Sequence, residues 1–359
     1  MDTNELIFLN ALNSIPGVGV AILRMLKSRI GSFANIWRND IRFLQTGAFS
    51  KPINQIIASR ASLDPEKEFK KLEHHGIWIM IEDDPLFPSQ LREIPHAPLL
   101  LYGKGTRPDS RQIMIAIVGT RRPTAYGREA AIRITERLAR AQMTIVSGLA
   151  VGIDTIAHET TLAEKAVTIA VIGSGLDERS LFPQQNVLLS RRIIEEHGAI
   201  ISEYAPGTPP MKEHFPLRNR IISGLSRGVL ILEARERSGA LITARTALEQ
   251  NRDVFAVPGS IFSPTSVGTN MLIQEGAKLV TTAQHICEEW NIEQAFMSSH
   301  AENLDKHEKI MVKLLECELT IDELKEKTGF DTPFLISTLS LLELKGIIRN
   351  LGNDTYQVV

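Results

Sequence analysis

Cysteine is nearly absent: the 359 residues contain two, Cys287 and Cys317. They have neither partner pairs nor metal-ligand spacing, which excludes a disulfide framework or a structural zinc site and points to a reduced, cytoplasmic protein. No apolar run comes near the roughly 18 residues of a membrane span. The opening residues Met1-Asp2-Thr3-Asn4-Glu5 hold acids where a secretory signal needs bases. A dominant charge is missing too, since 40 lysines and arginines face 42 aspartates and glutamates. Any polyanion site must then be a local patch on a near-neutral body. No P-loop is present, so the chain is expected to need no ATP or other cofactor of its own.

The most telling absence is local. The run Ile115-Ala116-Ile117-Val118 ends in Gly119, where a dinucleotide-binding turn would add two more glycines for close pyrophosphate approach and helix packing. This chain places Thr120, Arg121 and Arg122 there, and its next glycine is Gly127. Arginine forks onto phosphate oxygens bidentately, so the exchange favours a phosphodiester chain over one snug dinucleotide.

At this length two or three domains are expected. Residues 1–62 read as a helical domain. Its Ile15-Pro16-Gly17-Val18-Gly19 break matches the hairpin of a helix-hairpin-helix (SAM-like) unit, and equally a tight turn between packed helices. Residues 63–290 begin with a linker helix, Pro65 to His75, and two strands, Ile77–Ile81 and Leu99–Tyr102. Apolar runs then alternate with amphipathic segments, placing strands at Ile113–Val118, Thr144–Ser147, Val167–Ile172, Ala199–Ser202, Val229–Glu233, Asp253–Val257 and Lys278–Val280. That alternation predicts an extended Rossmann-like, doubly wound α/β sheet with helices on both faces. Residues 291–303 read as a polar linker, and 304–359 as a winged-helix domain. Within it, residues 301–345 hold ten acids against six lysines. Such a unit is a poor duplex binder, so a protein-docking or regulatory role is expected.

In doubly wound sheets ligands bind beyond the carboxyl ends of the strands. Three glycine turns fall there: Gly119-Thr120-Arg121-Arg122, Ser147-Gly148-Leu149-Ala150-Val151-Gly152-Ile153-Asp154, and Gly173-Ser174-Gly175. Their backbone N–H groups are expected to form anion nests. Asp154 and His158 stand four apart on one helix face; Asp154 fits as a helix cap and no third ligand is near, so a structural role is expected. Residues 205–252 hold eight bases against four acids, the basic patch that the bulk charge conceals. There Lys212 precedes Phe215-Pro216-Leu217-Arg218-Asn219-Arg220, which reads as a functional loop. Arg218 and Arg220 suit phosphates, Asn219 a base edge or the backbone, and Phe215 an unpaired base. The alternatives are a core Phe215 and arginines paired with Glu203, Glu213 or Glu233. Ser238, Gly239 and Thr243 join this set, although Ser238 is explained equally well as a helix cap.

These blocks, with Ser238-Gly239-Ala240-Leu241-Ile242-Thr243-Ala244 and Asp253-Val254-Phe255-Ala256-Val257-Pro258-Gly259, occur in an order that resembles the DNA-processing protein A (DprA/Smf) family. The resemblance covers the whole α/β region. It implies a non-enzymatic protein that binds single-stranded DNA, protects it, and helps load RecA recombinase during natural transformation. It implies a homodimer through residues 268–279, and DNA contacts from Arg121, Lys212, Arg218 and Arg220. Asn186 belongs to the family's third-loop motif, where this chain reads Leu181-Phe182-Pro183-Gln184-Gln185-Asn186, with phenylalanine in place of tyrosine and no lysine beside Asn186. The alternative is a nucleotide-cleaving phosphoribohydrolase, a related Rossmann family whose Pro-Gly-Gly-x-Gly-Thr motif is missing here.

Overall fold

The apolar runs are strands buried on both faces, as β-branched residues flanked by glycine turns favour. In the computed structural model, which describes residues 3–109, 111–292, 305–315, 317–344, 347–352 and 354–358, two compact units divide at residue 290. The first contains a nine-stranded sheet. Its strands are β1 (Trp78–Ile81), β2 (Leu100–Gly105), β3 (Met114–Val118), β4 (Thr144–Ser147), β5 (Thr168–Ile172), β6 (Ala199–Ser202), β7 (Gly228–Ile231), β8 (Asp253–Ala256) and β9 (Lys278–Leu279). Their order is β1-β2-β6-β5-β4-β3-β7-β8-β9. From β6 to β9 every pairing is parallel. The two strands ahead of Ile113 depart from the doubly wound pattern, because β1 and β2 run as an antiparallel pair and β2 joins β6 antiparallel.

The winding reverses at β3, which has β4 on one side and β7 on the other. After helices α1 (Thr3–Asn13), α2 (Val20–Ile30), α3 (Phe33–Arg38), α4 (Ser50–Ser59), α5 (Pro65–His74) and α6 (Ser89–Arg92), helices α7 (Ala125–Arg140), α8 (Ile153–Ala163), α9 (Val187–Glu195), α10 (His214–Leu225) and α11 (Gly239–Glu249) make the crossovers, and α12 (Val267–Gln274) leads to β9.

The helices of residues 1–62 do not form a core of their own. Phe8, Leu9, Leu12, Leu23 and Leu26 share one apolar cluster with Leu100, Tyr102 and Ile172 of the sheet. Polar groups lock the same seam: Tyr102 donates to Asn10 Oδ1 at 2.9 Å and Asn13 donates to the Glu203 carbonyl at 3.2 Å. Tyr102 is fully buried, and a buried phenol needs such a partner.

The second unit has helices Lys306–Leu314, Ile321–Thr328 and Thr332–Leu344, and a small antiparallel sheet ordered Leu319–Thr320, Thr355–Val358, Ile348–Gly352. Capping boxes start the first two helices, Asp305 with Glu308 and Thr320 with Glu323. Its core comprises Met311, Leu315, Leu324, Leu335, Leu339, Leu342 and Tyr356. The expected linker 291–303 lies almost wholly outside the described residues.

Candidate functional site

The expected loop at Phe215–Arg220 is instead the first two turns of α10. Pro216 masks this in the sequence, yet in a first helical turn its missing N–H breaks no hydrogen bond. The helix drives Arg218 into the sheet edge, where it is buried and donates to the carbonyls of Gly148, at 2.7 Å, and Val171. A Cβ on Gly148 would lie 2.7 Å from this guanidinium, so any larger residue there would have to displace it. The turn after β4 also presses on the turn after β3. Gly152 adopts φ +91°, and a Cβ there would lie 2.4 Å from the Thr120 carbonyl oxygen.

Backbone donors of two of the three expected anion nests are already engaged. Asp154 accepts hydrogen bonds from the N–H groups of Gly148, at 3.0 Å, and Ala150, at 3.4 Å, and Gly175 donates to the Thr208 carbonyl at 2.9 Å. At these two turns positive charge therefore comes from side chains and not from backbone. Burial raises the Asp154 carboxyl and pushes the Arg218 guanidinium down to about 10, while each charge opposes the other's shift. Arg218 stays cationic at neutral pH. His158 is held neutral: burial, then the Arg218 charge, push it down to about 3. Thr168 Oγ1 donates to the Ile145 carbonyl at 2.8 Å, so the 2.7 Å contact of His158 Nδ1 with that hydroxyl requires the proton on Nδ1. Among the described residues no cluster suits a metal ion, and Asp154 and His158 serve the fold.

Above this floor lies a cavity of about 310 Å³, lined by Arg121, Gly148, Phe182, Gln185, Phe215 and Arg218 among others. Arg121, Arg122 and Lys212 are exposed and form no ion pair among the described residues. Phe215 is half-buried, and its ring centroid lies 5.7 Å from that of Phe182.

The other expected residues divide. Gly119 and Thr120 lie half-buried beside Arg121 at the mouth; Gly173 is buried under Phe215. Asn186 points inward, donating to the Leu149 carbonyl and Thr155 Oγ1, both at 2.8 Å. Arg220 is turned away from solvent by Glu203, whose two carboxylate oxygens both lie 2.6 Å from its Nη2. Ser238 caps α11, Thr243 is buried, and Asn219 accepts from Arg218 Nε at 3.2 Å and donates to the Gly239 carbonyl at 3.5 Å. Sequence reasoning missed Gln185, and did not assign Phe182 to the site. Its signal was an aromatic residue just past a glycine turn at a strand end.

A second hollow of about 410 Å³ opens beyond β3, β7 and β8, lined by Thr124, Tyr126, Glu233, Ser260 and Ser263 among others. Glu233 is 2% exposed and accepts from Thr124 N (2.9 Å), Thr124 Oγ1 (2.7 Å) and Thr265 Oγ1 (2.9 Å).

A profile of the family DNA recombination-mediator protein A matches residues 78–291. The chain belongs to that family. It is 46% identical over 263 residues to the DNA processing protein DprA of Bacillus subtilis strain 168, covering 70% of this chain and 88% of the relative. The X-ray structure of DNA processing protein A from Streptococcus pneumoniae superposes with a TM-score of 0.67 at 35% identity, covering 80% of this chain and 98% of that one. A structure of DNA processing protein A from Helicobacter pylori, concerned with its single-stranded DNA binding mode, gives 0.52 at 30% identity, covering 60% and 95%. Among the described residues no helix is long and apolar enough to cross a membrane.

Proposed function

We propose that this cytoplasmic protein binds single-stranded DNA along the crevice beyond β3, β4 and β5, without cofactor or catalysis. The observation that carries this is the pairing of exposed, unpaired Arg121 with the aromatic corner of Phe182 and Phe215 around one cavity. Cations that track the backbone, combined with rings that stack unpaired bases, are what sequence-tolerant single-strand binding requires. The single-strand binding mode of the Helicobacter pylori relative supports the same reading. The family resemblance supports loading of RecA onto the bound strand. Half-buried Ile273, and exposed Leu279 in the two-residue edge strand β9, favour a homodimer through residues 268–279. The C-terminal unit acts as a winged helix turned to protein docking: Phe334, Ile336 and Leu341 are exposed on a helix, Thr332–Leu344, that has no lysine or arginine.

A mobility-shift titration against single and double strands tests the central statement. The single strand is expected to bind more tightly, and Arg121→Ala with Lys212→Ala to lower both affinity and salt slope, the slope by about one per lost contact. Equal affinity for both forms, or release of a free base from a nucleoside monophosphate, would replace this reading with another.

A further inference from the structure

The cations of residues 1–62 divide by what holds them. Arg24 donates to Glu82 Oε1 at 2.9 Å and Lys27 lies 3.2 Å from Asp83, so both are engaged in the seam with the sheet. Arg60 closes the end of α3, donating to the carbonyls of Asn39, at 2.8 Å, and Ile36. Arg38, Arg42 and Lys51 serve neither purpose. All three are exposed, and the only acid in residues 33–60, Asp40, stands 3.9 Å from Arg42 and is exposed as well. An open pair at that distance contributes little.

Beside these cations stands a ring that the fold does not use. Ile41 and Leu44 are buried, whereas Phe43 between them is 69% exposed and makes no ring contact among the described residues. Its turn is ordered before any ligand arrives: the Arg42 N–H donates to Asp40 Oδ1 at 3.0 Å, and Gln45 donates to Asn54 Oδ1 on α4 at 2.6 Å. Lys51 precedes Asn54 by three residues and shares its helix face, so α4 brings this lysine toward the same turn. Among the described residues 33–60 no other large apolar side chain is exposed. The corner therefore offers a protein partner no apolar patch, but offers a nucleic acid three cations and one open ring.

The corner is also close to the crevice. The Arg38 guanidinium lies 4.8 Å from the ring centroid of Phe8 on α1, and Asn13, five residues further along that helix, donates to the Glu203 carbonyl just past β6. At 1.5 Å per residue the separation is about 8 Å along the helix axis. Exposed Lys212, between β6 and α10, stands at the same end of the sheet.

We propose that Arg38, Arg42, Lys51 and Phe43 form a second contact for single-stranded DNA, holding the strand where it leaves the crevice past β6. This rests on the single-strand reading above. The three cations take phosphates and Phe43 stacks one unpaired base, whatever its identity.

The test titrates the full chain with oligo-dT strands of increasing length over a range of salt concentrations. Wild-type affinity and salt slope are expected to rise in a second step once the strand outgrows the crevice. Arg38→Ala with Arg42→Ala and Lys51→Ala removes that step, lowers the slope on long strands by roughly two to three, and leaves the shortest bound strand unaffected. Phe43→Leu, which keeps apolar bulk without a ring, weakens only the long strands, by about tenfold, and leaves their salt slope unchanged, whereas Phe43→Tyr retains wild-type affinity. All four positions are exposed, so urea midpoints of the variants should match that of the wild type. A triple variant that keeps the second step, or one that loses as much affinity for the shortest strand as for the longest, overturns the second contact and leaves the crevice standing. Failure of the wild type to bind any strand overturns the single-strand reading as well.

Discussion

The hollow beyond β4 and β5 is walled by Arg121 and Arg218, while the hollow beyond β7 and β8, on the same sheet edge, contains Glu233. Both begin from one physical problem, the unpaired N–H groups at a helix start. Each solves it with a carboxylate. Asp154 satisfies the turn after β4, and Glu233 the N-cap region of α7. The difference is what answers the charge. Arg218 lies within range of Asp154, whereas among the described residues Glu233 accepts from two hydroxyls and one N–H and forms no ion pair. The winding of the sheet reverses between β3 and β7, where doubly wound folds hold a nucleotide phosphate on a helix N-terminus. Here a buried carboxylate already occupies that place. On the proposed single-strand reading, the polyanion takes the neighbouring hollow, where side chains supply the positive charge.

The strongest test of this comparison is to remove the buried cation. Arg218→Met leaves Asp154 buried and unanswered and is expected to cost about 3–5 kcal/mol of stability. Arg121→Met removes an exposed charge and should stay within about 0.5 kcal/mol. Urea titrations of the two variants compare them directly. If they unfold at the same midpoint, Arg218 is not the structural half of a divided pair of arginines, and the contrast between the hollows fails.

That division was only half legible in the sequence. The strands were legible because continuous apolar runs between glycine turns have one stable home, a sheet covered on both faces. Arg121 was legible for a similar reason: it stands where a fingerprint required glycine. Arg218 and Arg220 have the same composition and spacing as surface phosphate ligands, and their burial depends on partners 70 and 17 residues away. Pro216 hid the helix that separates their directions. The nest after β4 could not be seen to be occupied, because glycine spacing reports N–H groups but not which acceptor fills them. Asp154 filled it from within its own helix. The helices of residues 1–62 read as a separate domain because the sequence cannot show that Tyr102 reaches back to Asn10.

Acid should weaken the arginine-bearing hollow next. The His158 imidazole is at about 3 in the folded protein, against the ordinary 6.5 that the unfolded chain keeps. Between those values the unfolded state binds the extra proton, so stability is complete above 6.5 and is lost as the pH falls toward 3. The loss amounts to about 2 kcal/mol near pH 5. Denaturant midpoints measured from neutral to mildly acidic pH should fall in the wild type and flatten in His158→Asn. A variant with the full wild-type slope would assign the acid sensitivity to other groups.

The smallest expected effect concerns the other hollow. Glu233→Gln keeps the shape of the side chain but turns one acceptor oxygen into a donor facing groups that themselves donate, Thr124 N–H and the hydroxyls of Thr124 and Thr265. It also removes the negative charge at the start of α7, and the two losses together should lower stability by about 1.5 kcal/mol. DNA affinity should not fall, because no phosphate is expected to approach a buried carboxylate. A melting curve and a single-strand titration on the same protein separate the two readouts. A stable variant with weakened binding would place Glu233 on the DNA track, and both hollows would then belong to one continuous site.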